Sequence, residues 1–365
     1  MTHSWYQNKR VLVTGACGTI GAEIVRQLLT DKRYAAKEVV GIDNHESDLF
    51  FLDQAYLKYP NAHFSVADVR DVGVLTEKAI GADVIIHSAA LKHVILCERS
   101  PEQAIFSNIL GVQNVIAAAN ANNVERVIFT SSDKAVNPTN VMGTSKLMGE
   151  RLMTAANSNK RGDGPIFAST RFGNVLGSSG SVIPIFHNQI AQGGPVTLTD
   201  RHMTRFVMTI NEAVRLVLES VEKAQGGEVF ITKMPVVRIA DLATAMVKEL
   251  AGHFGYKTGD IEVIEIGSKP GEKLYEELMS QEETRRAVEL ESYFSVLPAF
   301  RGIYNDISYE YSDALSHTVT NPYVSELETP VSVEGIGALL RENHLLERPA
   351  DTISSRYWPG DKEEN

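Results

Sequence analysis

Ser132, Asp133 and Lys134 place a hydroxyl, a carboxylate and an amine on consecutive residues. An acid beside a base suits reactions that take a proton from one atom and protonate a leaving group on the next. A lone lysine after a strand is more often a solvated surface group. Lys134 abuts Asp133, and its weight rests on that neighbour together with the motif around it. Lys146 stands four residues after Met142, one helical turn further on, so the two share a helix face.

A second constellation lies near the N-terminus. The apolar run VLVT leads into Gly15, Gly18 and Gly21. Gly15 suits a tight turn, Gly18 a close approach of backbone to a pyrophosphate, and Gly21 a helix lying against a sheet. Thr19 and Ile20 open that helix, where free N–H groups and the macrodipole favour an anion. A glycine pattern alone is weak, but this one falls at the first strand–helix junction. Asp43 ends the next strand, 22 residues after Gly21. It is placed to accept hydrogen bonds from the adenosine ribose. Asn44, His45 and Glu46 follow with no arginine for a 2′-phosphate, so NAD is expected over NADP. Asp68, followed by Val69, has two readings of equal weight: a bond to the adenine amino group, or a helix N-cap.

These groups need a frame. Apolar runs predict strands at 10–14, 38–43, 63–67, 83–87, 126–131 and 166–171, with helices at 19–30, 101–121 and 143–156. Ser100, Pro101 and Gln103 suggest an N-cap, a first-turn proline and a capping box. The alternation predicts an α/β fold, a Rossmann-type doubly wound parallel sheet with a smaller C-terminal substrate lobe. After Arg171 glycine, proline and serine become dense. The expected division is a dinucleotide domain over 1–175, a lobe over 176–349 and a polar tail over 350–365. Segments 204–210 and 228–232, within the stretch 204–235, are expected to return to the sheet.

The 365 residues carry 43% hydrophobic content and a formal charge of −11. That is ample for a large core and unsuited to nucleic acid or an anionic membrane. Cys17 and Cys97 make no disulfide framework, and the ten histidines show no metal spacing, so no metal is expected. With no leader-like start and no apolar run near the roughly 18 residues of a span, a soluble cytoplasmic protein is expected.

The ordered motifs identify a resemblance. HSAA (87–90), Asn108 and Lys146 resemble extended short-chain dehydrogenases. ALKH (90–93), SDKAVNPTNVMG (132–143), RFGNVLGS (171–178), MTRF (203–206), KMP (233–235) and PGEK (270–273) resemble UDP-N-acetylglucosamine 4,6-dehydratases. The similarity runs from about residue 8 to 280, and more faintly to about 342. It implies loss of water from a nucleotide-linked N-acetylhexosamine, with NAD regenerated each cycle. Lys134 is implied as base on carbon 5 and Asp133 as acid for the departing 6-hydroxyl. A lysine base must be partly neutral, which desolvation or a nearby cation favours. Lys146 is implied to hold the nicotinamide ribose; Ala89, Ala90, Lys92 and Asn108 join the cofactor set. Lys92, His93, Asn174, Arg205, Met234, Lys269 and Glu272 are the implied substrate contacts. The blander readings are an Asx turn for Asn174 and a structural role for His93.

Two departures stand out. Met142 occupies the place of the superfamily's tyrosine base. The 4-hydroxyl proton then falls to Asp133, or to a water relayed through Ser132 or Lys146. Some members of the dehydratase family share this methionine, and the resemblance leans towards retention at carbon 5. Lys269 replaces the usual arginine before PGE, which forgoes bidentate phosphate contact. A 4-epimerase or reductase, or a non-catalytic dinucleotide sensor, are the alternatives. A GDP-sugar would meet similar contacts, and relatives assemble as dimers or hexamers.

Overall fold

The computed structural model describes residues 4–160, 162–178, 181–267, 271–299 and 307–347. The expected polar tail and Lys269 lie outside the described residues. The chain forms two compact units. One holds 1–173, 210–234 and 276–328; the other holds 174–209, 235–275 and 329–365.

The first unit is built on a ten-stranded sheet. Six strands come from the N-terminal half: β1 (Arg10–Thr14), β2 (Glu38–Asp43), β3 (Ala62–Val66), β4 (Val84–His87), β5 (Arg126–Ser132) and β6 (Ile166–Phe172). They run parallel in the order β3-β2-β1-β4-β5-β6. β1, β2, β4, β5 and β6 are buried almost throughout, as expected of parallel strands covered on both faces; the edge strand β3 is the exception, with none of its residues fully buried. The order reverses between β1 and β4, and the crevice at the carboxyl ends there is where such sheets bind ligands. Val229–Thr232 extends the sheet parallel to β6. Tyr293–Val296, Ala287–Leu290 and Ala314–Ser316 then add antiparallel strands at that edge.

The second unit packs the helices Val182–Ala191, Ile239–Leu250 and Val333–Glu342 around a core that includes Phe186, Met246 and Leu340. Its three-stranded sheet joins Val236–Arg238, Thr204–Met208 and Asn174–Val175.

Several expectations need correction. Thr204–Met208 belongs to the second unit's sheet and does not return to the large one. Residues 276–328, expected in the lobe, fold into the first unit. Three short antiparallel strands carry that return, and they lack the long runs that mark the parallel strands. The helix from Pro101 is interrupted: Ile105–Leu110 is a π turn before Gly111–Ala121. Ser100 stands at the N-cap, but its side chain makes no capping bond. Pro101–Ala121 also has the length and composition to cross a membrane, with a mean hydropathy of 1.2, against the expectation that no stretch does. Its buried Val112, Val115, Ala118 and Ala119 belong to the core of the first unit.

Candidate active site

The glycine turn follows β1. Gly15 adopts φ +70, and a Cβ there would meet the Ala89 backbone nitrogen at 2.7 Å. A Cβ on Gly21 would sit 2.0 Å from the Gly15 carbonyl oxygen. Protein packing alone thus dictates glycine at both positions. Gly18 is different: its Cβ would approach only the Gly15 oxygen, at 3.3 Å. Close approach by a ligand is the remaining reason for glycine there. Gly18 begins the helix Thr19–Thr30 with no side-chain cap and no acidic residue in the first turn, so the positive end is left open. A cavity of about 180 Å³ lies beside it. Its lining includes Gly15, Gly18, Asp43, Asp68, Val69, Ala89 and Ala90, all expected from the sequence. Ile42, Asn44, Ala67, Ser88, Leu91 and Ser107 line it too and were not anticipated.

Asp43 accepts from the backbone N–H groups of Cys17 and His45, both at 3.0 Å, which fixes its carboxylate at the rim. Asp68 is no N-cap; Asp71 caps the helix that follows. The Asp68 carboxylate instead takes a forked bond from Arg70, which holds its pKa down to about 2. Asn108 is 1% exposed, and its amide is fully engaged within the protein. Its Oδ1 accepts from Leu91 N–H, and its Nδ2 donates to Leu91 O and Ser145 Oγ. It braces the loop after β4, so it sits behind the cavity wall and is absent from the lining. Lys92 and His93 are exposed on that loop, and His93 stands at the start of the helix Val94–Arg99.

At the end of β5 the chain makes a tight turn, Asp133–Ala135. Asp133 is buried, and its Oδ1 accepts from Ser132 Oγ (2.7 Å), Lys134 N (2.9 Å) and Lys134 Nζ (3.1 Å). The Lys134 amine also lies 3.6 Å from Oε1 of Glu276, a buried carboxylate that sequence reasoning missed. Nothing in KLYEEL signals it, because its neighbours come from the distant turn. The helix Val141–Asn159 is capped by Asn140, whose side chain accepts from Gly143 N–H. A Cβ on Gly143 would lie 2.1 Å from Lys134 O, so glycine lets the helix close on the turn. Met142 is buried with Cys97 and Ala104. Lys146 is buried as well. It donates to Thr130 O at 2.8 Å and lies 4.8 Å from the Phe129 ring centre. Burial pulls its pKa down to about 8, against the opposing pull of Glu150 and Cys97.

The remaining expected residues are spread over both units. Met234, in the first, is buried, and Tyr323 Oη bonds both its N–H and its carbonyl. Asn174, Arg205 and Glu272 belong to the second. Asn174 Oδ1 is buried and has no hydrogen-bond partner among the described residues, so it forms no Asx turn. Arg205 is 6% exposed; it donates to Thr204 O, Lys273 O and Leu274 O and lies 3.9 Å from Glu272. The guanidinium thereby holds the PGEK segment's backbone.

A glycine turn at the reversal point, a Ser-Asp-Lys end to β5 and a lysine on the following helix define an extended short-chain dehydrogenase/reductase. The chain belongs to the polysaccharide biosynthesis protein family, which matches residues 11–298. It is 48% identical to an uncharacterized membrane protein of Methanocaldococcus jannaschii over 81% of this chain and 87% of that one. A UDP-N-acetylglucosamine 4,6-dehydratase (inverting) of Campylobacter jejuni is 34% identical over 82% of this chain and 86% of its own. A UDP-glucose 4-epimerase of Rickettsia canadensis is 37% identical over 80% and 83%. The X-ray structure of Pen from Bacillus thuringiensis matches with a TM-score of 0.85 at 38% identity, covering 94% of this chain and 100% of that one.

Proposed function

We propose that the protein is an NAD-dependent 4,6-dehydratase of a nucleotide-linked N-acetylhexosamine. It converts UDP-N-acetylglucosamine to the 4-keto-6-deoxy sugar for surface-glycan or rare-sugar synthesis. The observation that carries this is Asp133 against Lys134 at 3.1 Å, at the carboxyl end of β5 with Lys146 on the next helix. An epimerase needs no such pair. The residues present fit NAD: the uncapped helix start at Gly18 suits its pyrophosphate and Asp43 suits its ribose.

When bound, NAD supplies the acceptor for the carbon-4 hydride and returns that hydride to carbon 6. The protein manages the protons. Asp133 takes the 4-hydroxyl proton, a step for which Met142 has no basic group. Lys134 takes the proton from carbon 5, now acidified by the ketone. Asp133 passes its proton to the 6-hydroxyl, which leaves as water. Lys134 then returns its proton to carbon 5. A single amine acting on one face implies retained configuration there.

The test is incubation with UDP-N-acetylglucosamine and NAD, followed by product mass and carbon-5 stereochemistry. Loss of one water with retention supports the reading. Unchanged mass with a new stereocentre at carbon 4 moves the protein to the epimerases, a reading that the Rickettsia relative favours. No turnover with intact NAD binding leaves a dinucleotide-binding sensor.

A further inference from the structure

The geometry points to Glu276 as a positioning residue that acts as the proton partner of Lys134; this rests on the dehydratase reading and deepens it. Glu276 is 3% exposed, and its Oε1 lies 3.6 Å from Lys134 Nζ. Asp133, whose side chain is 2% exposed, holds the same amine at 3.1 Å. One amine therefore meets two buried carboxylates. The backbone carrying Glu276 is fixed by bonds independent of its charge. Its N–H donates to Ser325 Oγ and its carbonyl accepts from Ser325 N–H, both at 2.9 Å. One and two residues on, Asn137 Nδ2 donates to Glu277 Oε2 at 2.7 Å and Arg171 Nη1 donates to Leu278 O at 2.9 Å.

A lone Asp-Lys pair has a conflict. Elimination needs an acid and a neutral amine at the same moment, whereas a nearby carboxylate favours the ammonium. A third group resolves this. At rest, two carboxylates and one ammonium carry a net charge of −1. When the 4-hydroxyl proton reaches Asp133, the trio becomes neutral overall. A proton then moves from Lys134 Nζ to Glu276 Oε1, breaking an N–H bond and forming an O–H bond. Three uncharged groups remain. Burial of the two carboxylates favours that state, because a buried charge gives up solvation, while the amine, its side chain 27% exposed, keeps part of its water. Lys134 is thus a free amine when Asp133 is an acid. After water leaves and the carbon-5 proton is returned, Glu276 gives its proton back to Lys134. No proton is borrowed from solvent.

The charged groups on the surrounding elements are Asp133 on Lys134's own turn, Glu276 and Glu277 beside it, and Lys146, Glu150 and Arg151 on the Val141–Asn159 helix. The experiment compares the full-length wild type, Glu276→Gln and Glu276→Asp with UDP-N-acetylglucosamine from pH ~6 to ~9. In Glu276→Gln, kcat is expected to fall about 100-fold near neutral pH with KM within about twofold, since proton transfer is lost and binding is not. Its rate should climb with pH until Lys134 is neutral, while the wild type stays flat. Glu276→Asp should recover part of the rate. A Gln variant whose profile parallels wild type, or whose loss lies in KM alone, overturns the proposal. A second reading uses no turnover: 15N NMR of the Lys134 amine in substrate-free protein. Removing the carboxylate should lower its titration midpoint by about one pH unit or more. An unmoved midpoint overturns the proposal even if the wild type dehydrates its substrate. A moved midpoint in a protein that releases no water supports the pair and removes the dehydratase reading alone.

Discussion

Met142 stands where the resemblance implies a tyrosine base, and its surroundings say what it does. It packs against Cys97 and Ala104, and its carbonyl accepts from Ser145 Oγ. A thioether has no proton to exchange, so its role here is to fill volume. Met142→Leu conserves that volume and should cost less than about 1.5 kcal/mol, with kcat changed by no more than a few fold. On the proposed dehydratase reading, Asp133→Asn and Lys134→Ala should each lower kcat by about 100-fold or more, because each removes a group to which that reading gives a proton transfer. Timed product mass for the three variants decides the matter. If Met142→Leu loses as much as Asp133→Asn, the sulfur must be put back into the mechanism. Asp133, Lys134 and Lys146 could be proposed from the sequence because they lie close together along the chain. Glu276 could not, because only the folded return of residues 276–328 brings it to Lys134.

The β strands from β1 to β6 were legible to within a residue or so: β1, β2, β4 and β5 because buried runs rich in Val and Ile are punctuated by Gly15, Asp43 and their like, β3 and β6 because short β-prone runs fall between helical patterns. The π turn at Ile105–Leu110 was not. No residue type dictates such a turn, and helical spacing reads straight through it. What accompanies it here is the Asn108 side chain, with three hydrogen bonds tying the turn to Leu91 and to Ser145. Asn108→Ala would leave the Leu91 N–H and carbonyl unpaired in a half-buried loop. Stranded polar groups cost about 1–3 kcal/mol each when buried, and water reaching Leu91, which is 39% exposed, offsets part of that, so urea unfolding should show a loss of roughly 1–3 kcal/mol. Leu91 lines the cavity beside the glycine turn, so NAD affinity, read by titration, should fall with it. A variant of wild-type stability that binds NAD normally would mean that the brace is dispensable.

Across the whole chain, the first change of unit falls at Gly173–Asn174, close to the change of texture after Arg171, but the chain crosses between the units again at 209–210, 234–235, 275–276 and 328–329. The return of 276–328 is anchored by charge where few apolar runs were available. Arg171, 1% exposed, bonds Glu150, Glu283 and Leu278 O. Burial opposes the charge of Glu283, but Arg171 outweighs it and lowers the pKa to about 2. Glu283 therefore keeps its charge until strongly acid pH and does not govern mild acid behaviour. His87 should. It is 1% exposed on β4, its Nδ1 is 2.7 Å from Thr14 Oγ1, and its ring stacks on Phe129. Burial first, and Lys146 second, push its pKa down to about 3. The folded protein therefore keeps His87 neutral while the unfolded chain takes up a proton as pH falls below about 6.5. The contribution is fully present above that pH and is lost on acidification, at up to about 1.4 kcal/mol per unit until the folded value is reached. Asp68 and Glu283, with pKa values of about 2, act only below the ordinary carboxylate range, whereas burial raises Glu228 and Glu222, whose protonation in the folded state opposes the histidine loss; the comparison with a His87 variant isolates the ring's own share. Urea unfolding from about pH 6.5 to about 5 should lose more stability in the wild type than in His87→Gln, whatever the variant's absolute stability. Equal slopes would mean that the folded protein protonates this ring as readily as the unfolded chain does, and that His87 is not held neutral between β1 and β5.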